Sequence, residues 1–98
     1  MSFESFEVEH QRLLVLQALE SDPDYSHNEY VLSRYLQSRG HGISSDRLST
    51  ELAWLAEQGL LQLEAVAGFA VVKLTRRGED VALGRTRVPG VARPRPGA

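Results

Sequence analysis

A chain of 98 residues, 42% apolar and without cysteine, has room for one small hydrophobic core and excludes both a disulfide framework and a thiolate metal site. No apolar run approaches the ~20 residues of a membrane-crossing helix, and the acidic start lacks the regions of a secretory leader, so a cytoplasmic protein is expected. The net charge of −2 hides a split: residues 1–72 carry four Arg against eleven Asp and Glu, net −7, and residues 73–98 carry seven basic residues against two acidic, net +5.

From Phe3 to Leu19 the spacing predicts a helix with Phe6, Leu13 and Leu16 on one side and Val8, Val15 and Leu19 roughly opposite. A helix that is apolar on two sides is sandwiched. Its second side meets a second subunit, the C-terminal segment or the last helix of the same chain, and all three stay open at this level. Proline in the stretch ESDPDYS breaks the period, so a loop is expected at 21–27. A second helix is expected to begin near Asn28, a good cap, with Val31, Leu32, Tyr35 and Leu36 on one face and a stop at Gly40. The turn Gly40 to Ile43 follows, and Ile43 is the expected position of a very short first strand.

The best-patterned stretch runs from Ser44 to Thr75. Leu48, Leu52 and Leu55 form one stripe at about 100° per residue, with Ala56 beside it. Ser44 or Ser45 caps this third helix, Asp46 suits the positive end of its dipole, and Gly59 ends it. The period then changes to two. With Ala67 and Gly68 as the turn, Val66 faces Phe69, Glu64 faces Val71 and Gln62 faces Lys73, which places Leu61, Leu63, Ala65, Ala70, Val72 and Leu74 together on the other face. Thr75 caps a short last helix of about Arg76 to Leu83. The expected domain covers residues 1–84. Residues 85–98, rich in Arg and Pro, are expected as an extended or disordered tail, with Val88 and Val91 as pegs if it docks on its own domain or on a second subunit.

In chain order this is an α+β winged helix-turn-helix: three helices, a two-stranded hairpin wing, a short C-terminal helix and an extended tail. The stretches RLLVLQAL in helix 1, LAWLAEQGLL at 52–61, LTRRGEDVALG at 74–84 and VPGVARP at 88–94 resemble a family of small winged-helix proteins of Mu-like phages and prophages, regulators of the arsenical-resistance-repressor type. The resemblance implies the winged-helix fold, a phage context and DNA binding. It carries no catalytic set, and without clustered Cys and His metal sensing does not carry over.

No enzyme chemistry is expected. His10, His27 and His41 fall in three elements without metal-ligand spacing, no glycine-rich phosphate loop or nucleophile elbow is present, and no cofactor is implied. For a double-stranded DNA partner, helix 3 would enter the major groove, with Arg47 forked to a guanine and Ser45, Ser49 and Thr50 on bases or phosphates. Trp54 would lie in the same row, and Lys73, Arg76 and Arg77 would hold the backbone. Asp46, Glu51 and Glu57 oppose this reading, since they put negative charge on that helix. Arg47, Thr50 and Trp54, at spacings of four and three, equally suit a contact with a phage or host protein. Trp54 folded over its neighbours as core is the third possibility. A homodimer through helix 1 and the C-terminal segment is expected.

Overall fold

A computed structural model describes residues 3–95. It shows a small α+β domain of four helices and a three-stranded antiparallel sheet, compatible with a winged helix. The order is α1 (Phe3–Glu20), β1 (Ser26–Asn28), α2 (Glu29–Ser38), α3 (Ser45–Glu57), β2 (Leu61–Val66), β3 (Phe69–Leu74) and α4 (Arg76–Ala82). The part of the tail expectation that falls on residues 96–98 lies outside the described residues.

Three helices open on the side chains that their sequences offer as caps. Asn28 accepts the Val31 amide, Ser44 the Arg47 amide and Thr75 the Gly78 amide. Each such cap contributes roughly 1 kcal/mol. The hairpin has the register that its alternation dictates, Val66 opposite Phe69 through Leu61 opposite Leu74. Its two-residue turn places Ala67 at φ 52° and Gly68 at φ 82°, both left-handed, as a turn matched to the strand twist requires. The inward face of the hairpin is buried only at the base, where Leu61, Val72 and Leu74 join the core. Towards the tip the wing leaves the body, and Leu63 and Ala65 are exposed.

The first strand is β1, just ahead of α2, and not at Ile43, which is half-buried in the α2–α3 turn. Strand β3 sits in the middle of the sheet, so its second edge needs partners, and residues 26–28 supply them against residues 71–73. Just before β1, Tyr25 at φ 53° receives the Leu74 N–H at 2.8 Å. The loop expected at 21–27 is therefore shorter than its composition suggests.

Helix α1 is sandwiched by its own chain. Leu13 to Leu16, Ala18 and Leu19 are buried, and the helix contacts α2, α4 and β3. Phe6 is not part of that core; it is exposed and stacks on His10. Residues 85–95 have no regular structure but are not a detached tail, because Val88 and Val91 are buried in the common core and the Ala92 amide donates to the Glu9 carbonyl at 3.1 Å. This arm and α4 pack on α1, while Phe3 and Phe6 near its N-terminus stay exposed. Helix α4 is seated by Gly78: a Cβ there would land on the Leu60 carbonyl oxygen and 2.7 Å from Leu74 Cδ1.

Since Ala67 holds a left-handed conformation that costs a Cβ-bearing residue about 1–2 kcal/mol, Ala67→Asn should stabilise the domain by about 1 kcal/mol. Urea unfolding checks the gain, and an unchanged pattern of cross-strand amide contacts by NMR shows that the register is kept.

Candidate interaction surfaces

Helix α3 carries most of the residues singled out in the sequence, and the fold divides them. Leu48, Leu52 and Leu55 turn inward as their period requires, and Glu51 is buried with them. That corrects its placement among the exposed charges of this helix. Glu51 Oε1 receives Arg12 Nε at 2.6 Å and Oε2 receives Arg47 Nε at 3.0 Å, so both carboxylate oxygens are neutralised in a part-buried site. Arg47 is thereby tied to its own helix through an i, i+4 pair, although 49% of its side chain is exposed.

Arg12 does more than pair. Its guanidinium carbon lies 3.8 Å from the centre of the Trp54 ring, and its Nη1 donates to the Gly90 carbonyl at 2.9 Å. Gly90 lies so close on the indole that a Cβ there would stand 2.8 Å from two ring carbons. Trp54 is thus half-buried and packed against the core under Arg12 and the arm, not aligned outward with Arg47 and Thr50. Of the alternatives that the spacing leaves open, this is the one in which Trp54 folds over its neighbours, while Arg47 and Thr50 stay exposed.

What α3 presents outward is Ser45, Asp46, Arg47, Ser49, Thr50, Ala53 and Glu57. Ser49 donates to Glu29 Oε1 at 2.6 Å and Thr50 to the Asp46 carbonyl at 3.2 Å. Arg77 donates to the Gln58 carbonyl, past the last turn of α3, with Arg76 beside it at the start of α4. Arg47 and Gln58 are eleven positions apart, roughly 16 Å along a helix, so the proposed base contacts and backbone contacts sit towards opposite ends of α3. Lys73 is exposed near the base of the hairpin. The structure brings Ser45, Ser49 and Thr50 together and leaves Lys73, Arg76 and Arg77 as a separate basic group.

The wing has a different character. Val66 is 51% and Phe69 69% exposed, and residues 61–72 contain no Lys or Arg. Between the wing turn and the N-terminal ends of α2 and α3 lies a cleft of about 420 Å³, floored by Leu48 and walled by Tyr30, Ser33, Phe69 and Ala70. Tyr30 is 65% exposed beside it. The signal for this surface was in the sequence, in the apolar tip of an otherwise well-patterned hairpin.

Two histidines placed in separate elements meet. His10 on α1 and His41 in the α2–α3 turn have ring centroids 4.9 Å apart. Burial above all, then the charges of His41 and Arg95, lower the His10 pKa from its ordinary 6.5. Among the described residues no group of three or more His, Cys, Asp or Glu could hold a metal ion, and no helix is long and apolar enough to cross a membrane.

Removing Arg12 leaves a buried carboxylate half-paired, so Arg12→Ala should cost about 3–5 kcal/mol, whereas Arg47→Ala, at an exposed partner, should cost under about 1 kcal/mol. Chemical denaturation compares the two, and only Arg12→Ala should alter Trp54 fluorescence in the folded state. For His10, the unfolded chain binds the proton more tightly than the folded one. Stability is therefore full above pH 6.5 and falls as the pH drops from 6.5 to the lower folded value. An NMR titration should give His10 a midpoint below 6.5, and His10→Gln should flatten the slope of stability in that window.

No protein-family model matches the chain. It is 48% identical over 90 residues to the uncharacterized protein gp26 of Escherichia phage Mu, an alignment that covers 92% of this chain and 93% of that one. It is also 42% identical over 78 residues to an uncharacterized protein of Haemophilus influenzae, covering 79% of this chain and 76% of that one.

Proposed function

The chain belongs to the family of phage Mu gp26, and we propose that this Mu-like phage family uses a winged-helix scaffold to dock another protein. The observation that carries the reading is the surface made by the wing and α3: exposed apolar side chains at the wing tip, a largely apolar cleft beside them, and Asp46 and Glu57 on the helix that would have to approach phosphate. Duplex DNA presents one negative charge per ~1.7 Å of axis, and proteins that bind it neutralise several of those charges with Lys and Arg. On α3 the sole cation is Arg47, already engaged by Glu51. Aromatic side chains such as Phe69 and Tyr30 around an apolar pocket are the anchors that protein interfaces use.

The second reading is a phage-encoded DNA-binding regulator. It is favoured by the element order, two helices joined by a tight turn and followed by a hairpin, and by exposed Lys73, Arg76, Arg77, Arg87, Arg93 and Arg95. A second subunit could bring those cations beside α3.

The two readings separate on salt and on position 69. Protein docking expects no shift of duplex DNA in anisotropy or gel assays even at about 50 mM salt, where non-specific binders are strongest. It also expects a photo-crosslinker at position 69 to join one phage-encoded protein in infected cells, with the adduct lost in Tyr30→Asp. Salt-sensitive DNA binding that Arg76→Ala and Arg77→Ala weaken, without such an adduct, would establish the regulator instead.

A further inference from the structure

We propose that the free edge of β2 is a docking site for an extended basic segment of another protein, added as a fourth strand, and that Glu64 bars a second copy of this chain from the same edge. The inference rests on the reading of the wing as a protein-docking element and specifies the chemistry of what it docks.

The sheet order β1-β3-β2 leaves β2 as an outer strand. In an antiparallel ladder, alternate residues point their N–H and C=O to one neighbour and the rest to the other. The Leu74 amide points towards β1, where it donates to the Tyr25 carbonyl, so residues 70, 72 and 74 of β3 address β1, and residues 69, 71 and 73 address β2. Their partners Val66, Glu64 and Gln62 point back at β3. Leu61, Leu63 and Ala65 therefore point outward. Leu61 is buried against the body, so the open part of the edge is the backbone of Leu63 and Ala65, both exposed, and no hydrogen bond occupies their outward groups among the described residues.

Proteins usually blunt such an edge with Lys, Pro or a bulge. Residues 61–66 contain neither Lys nor Pro, and the ladder runs unbroken from Leu61 to Val66. The one charged residue is Glu64, between the two open positions. For a second copy to bond both Leu63 and Ala65, the two-fold axis must pass through Glu64, pairing Leu63 with Ala65 of the other copy and setting Glu64 against Glu64. Like charges directly opposite in a sheet are unfavourable. A foreign strand with Lys or Arg at that place turns the repulsion into attraction. Its alternate side chains, on the face of Leu63, would cover that residue, which is 44% exposed.

The test uses a capped pentapeptide, Thr-Val-Lys-Val-Thr, and its twin with Glu at the centre, titrated into the wild-type domain by NMR. The Lys peptide should shift and protect the Leu63 and Ala65 amides and bind roughly two- to thirtyfold tighter than the Glu peptide. Glu64→Lys should invert that preference, while Leu63→Pro, which removes an outward N–H that no strand partner uses, should abolish binding with the fold intact. By sedimentation, Glu64→Val should self-associate through residues 63–65, and Leu63→Pro in that background should reverse it. Unchanged edge amides at saturating peptide, or a preference that Glu64→Lys does not invert, would overturn the proposal. These outcomes do not involve the Phe69 cleft. Failure at the edge therefore leaves the crosslink at position 69 to decide the broader reading.

Discussion

A buried carboxylate between two guanidinium groups joins parts of the chain that share little else. Glu51 belongs to the inward side of α3, yet its charge is met from α1 by Arg12 and from its own helix by Arg47. Burying a carboxylate costs several kcal/mol unless it is paired and hydrogen-bonded, so the site demands that α1 lie across α3 at one angle. Arg12 then extends the constraint: the same guanidinium that pairs with Glu51 covers Trp54 and holds the Gly90 carbonyl. Hydrophobic burial supplies most of the stability, but many arrangements of leucines would provide it. This polar node selects one of them.

The parts legible in the sequence were those whose information is local. The alternation from Leu61 to Leu74 around Ala67 and Gly68 fixes a register without knowledge of the rest of the chain, and Asn28, Ser44 and Thr75 announce helix starts through bonds only three residues long. What escaped was non-local. Strand β1 is Ser-His-Asn, too short and too polar for a period, and exists because β3 has a second edge to fill. Glu51 lies at the margin of the leucine stripe, where spacing alone cannot separate a solvated charge from a buried one, and its partner Arg12 is 39 residues away. Val88 and Val91 are legible as apolar pegs in a Pro- and Arg-rich stretch, but local pattern cannot say what they dock on, and it is the core of their own domain that takes them.

The candidate surface shows the same division. The helical period places Thr50 and Arg47 on the exposed side, as they are found, with Arg47 paired to Glu51 of its own helix; for Trp54 it leaves core and surface open, and Arg12 and the arm, both distant in sequence, make it half-buried. The exposed α3 face is then one paired arginine among small polar and acidic residues, next to a wing whose tip is apolar. In this chain the contrast between an acidic helix and an oily wing tip is what the proposed docking of a protein rests on.

The arm across Trp54 bears on how the molecule comes to be made. Contacts between residues 12 and 90, and between 9 and 92, are among the most widely separated that the chain contains, and closures of that span slow the search for the native state. A chain cut at residue 87 would keep the residues of all four helices and the sheet but lack Val88, Gly90 and Val91, so the surfaces that they cover on the indole and the core would lie open. The arm is therefore a seam rather than another element, and its closure hides an adhesive patch that an unclosed molecule would expose.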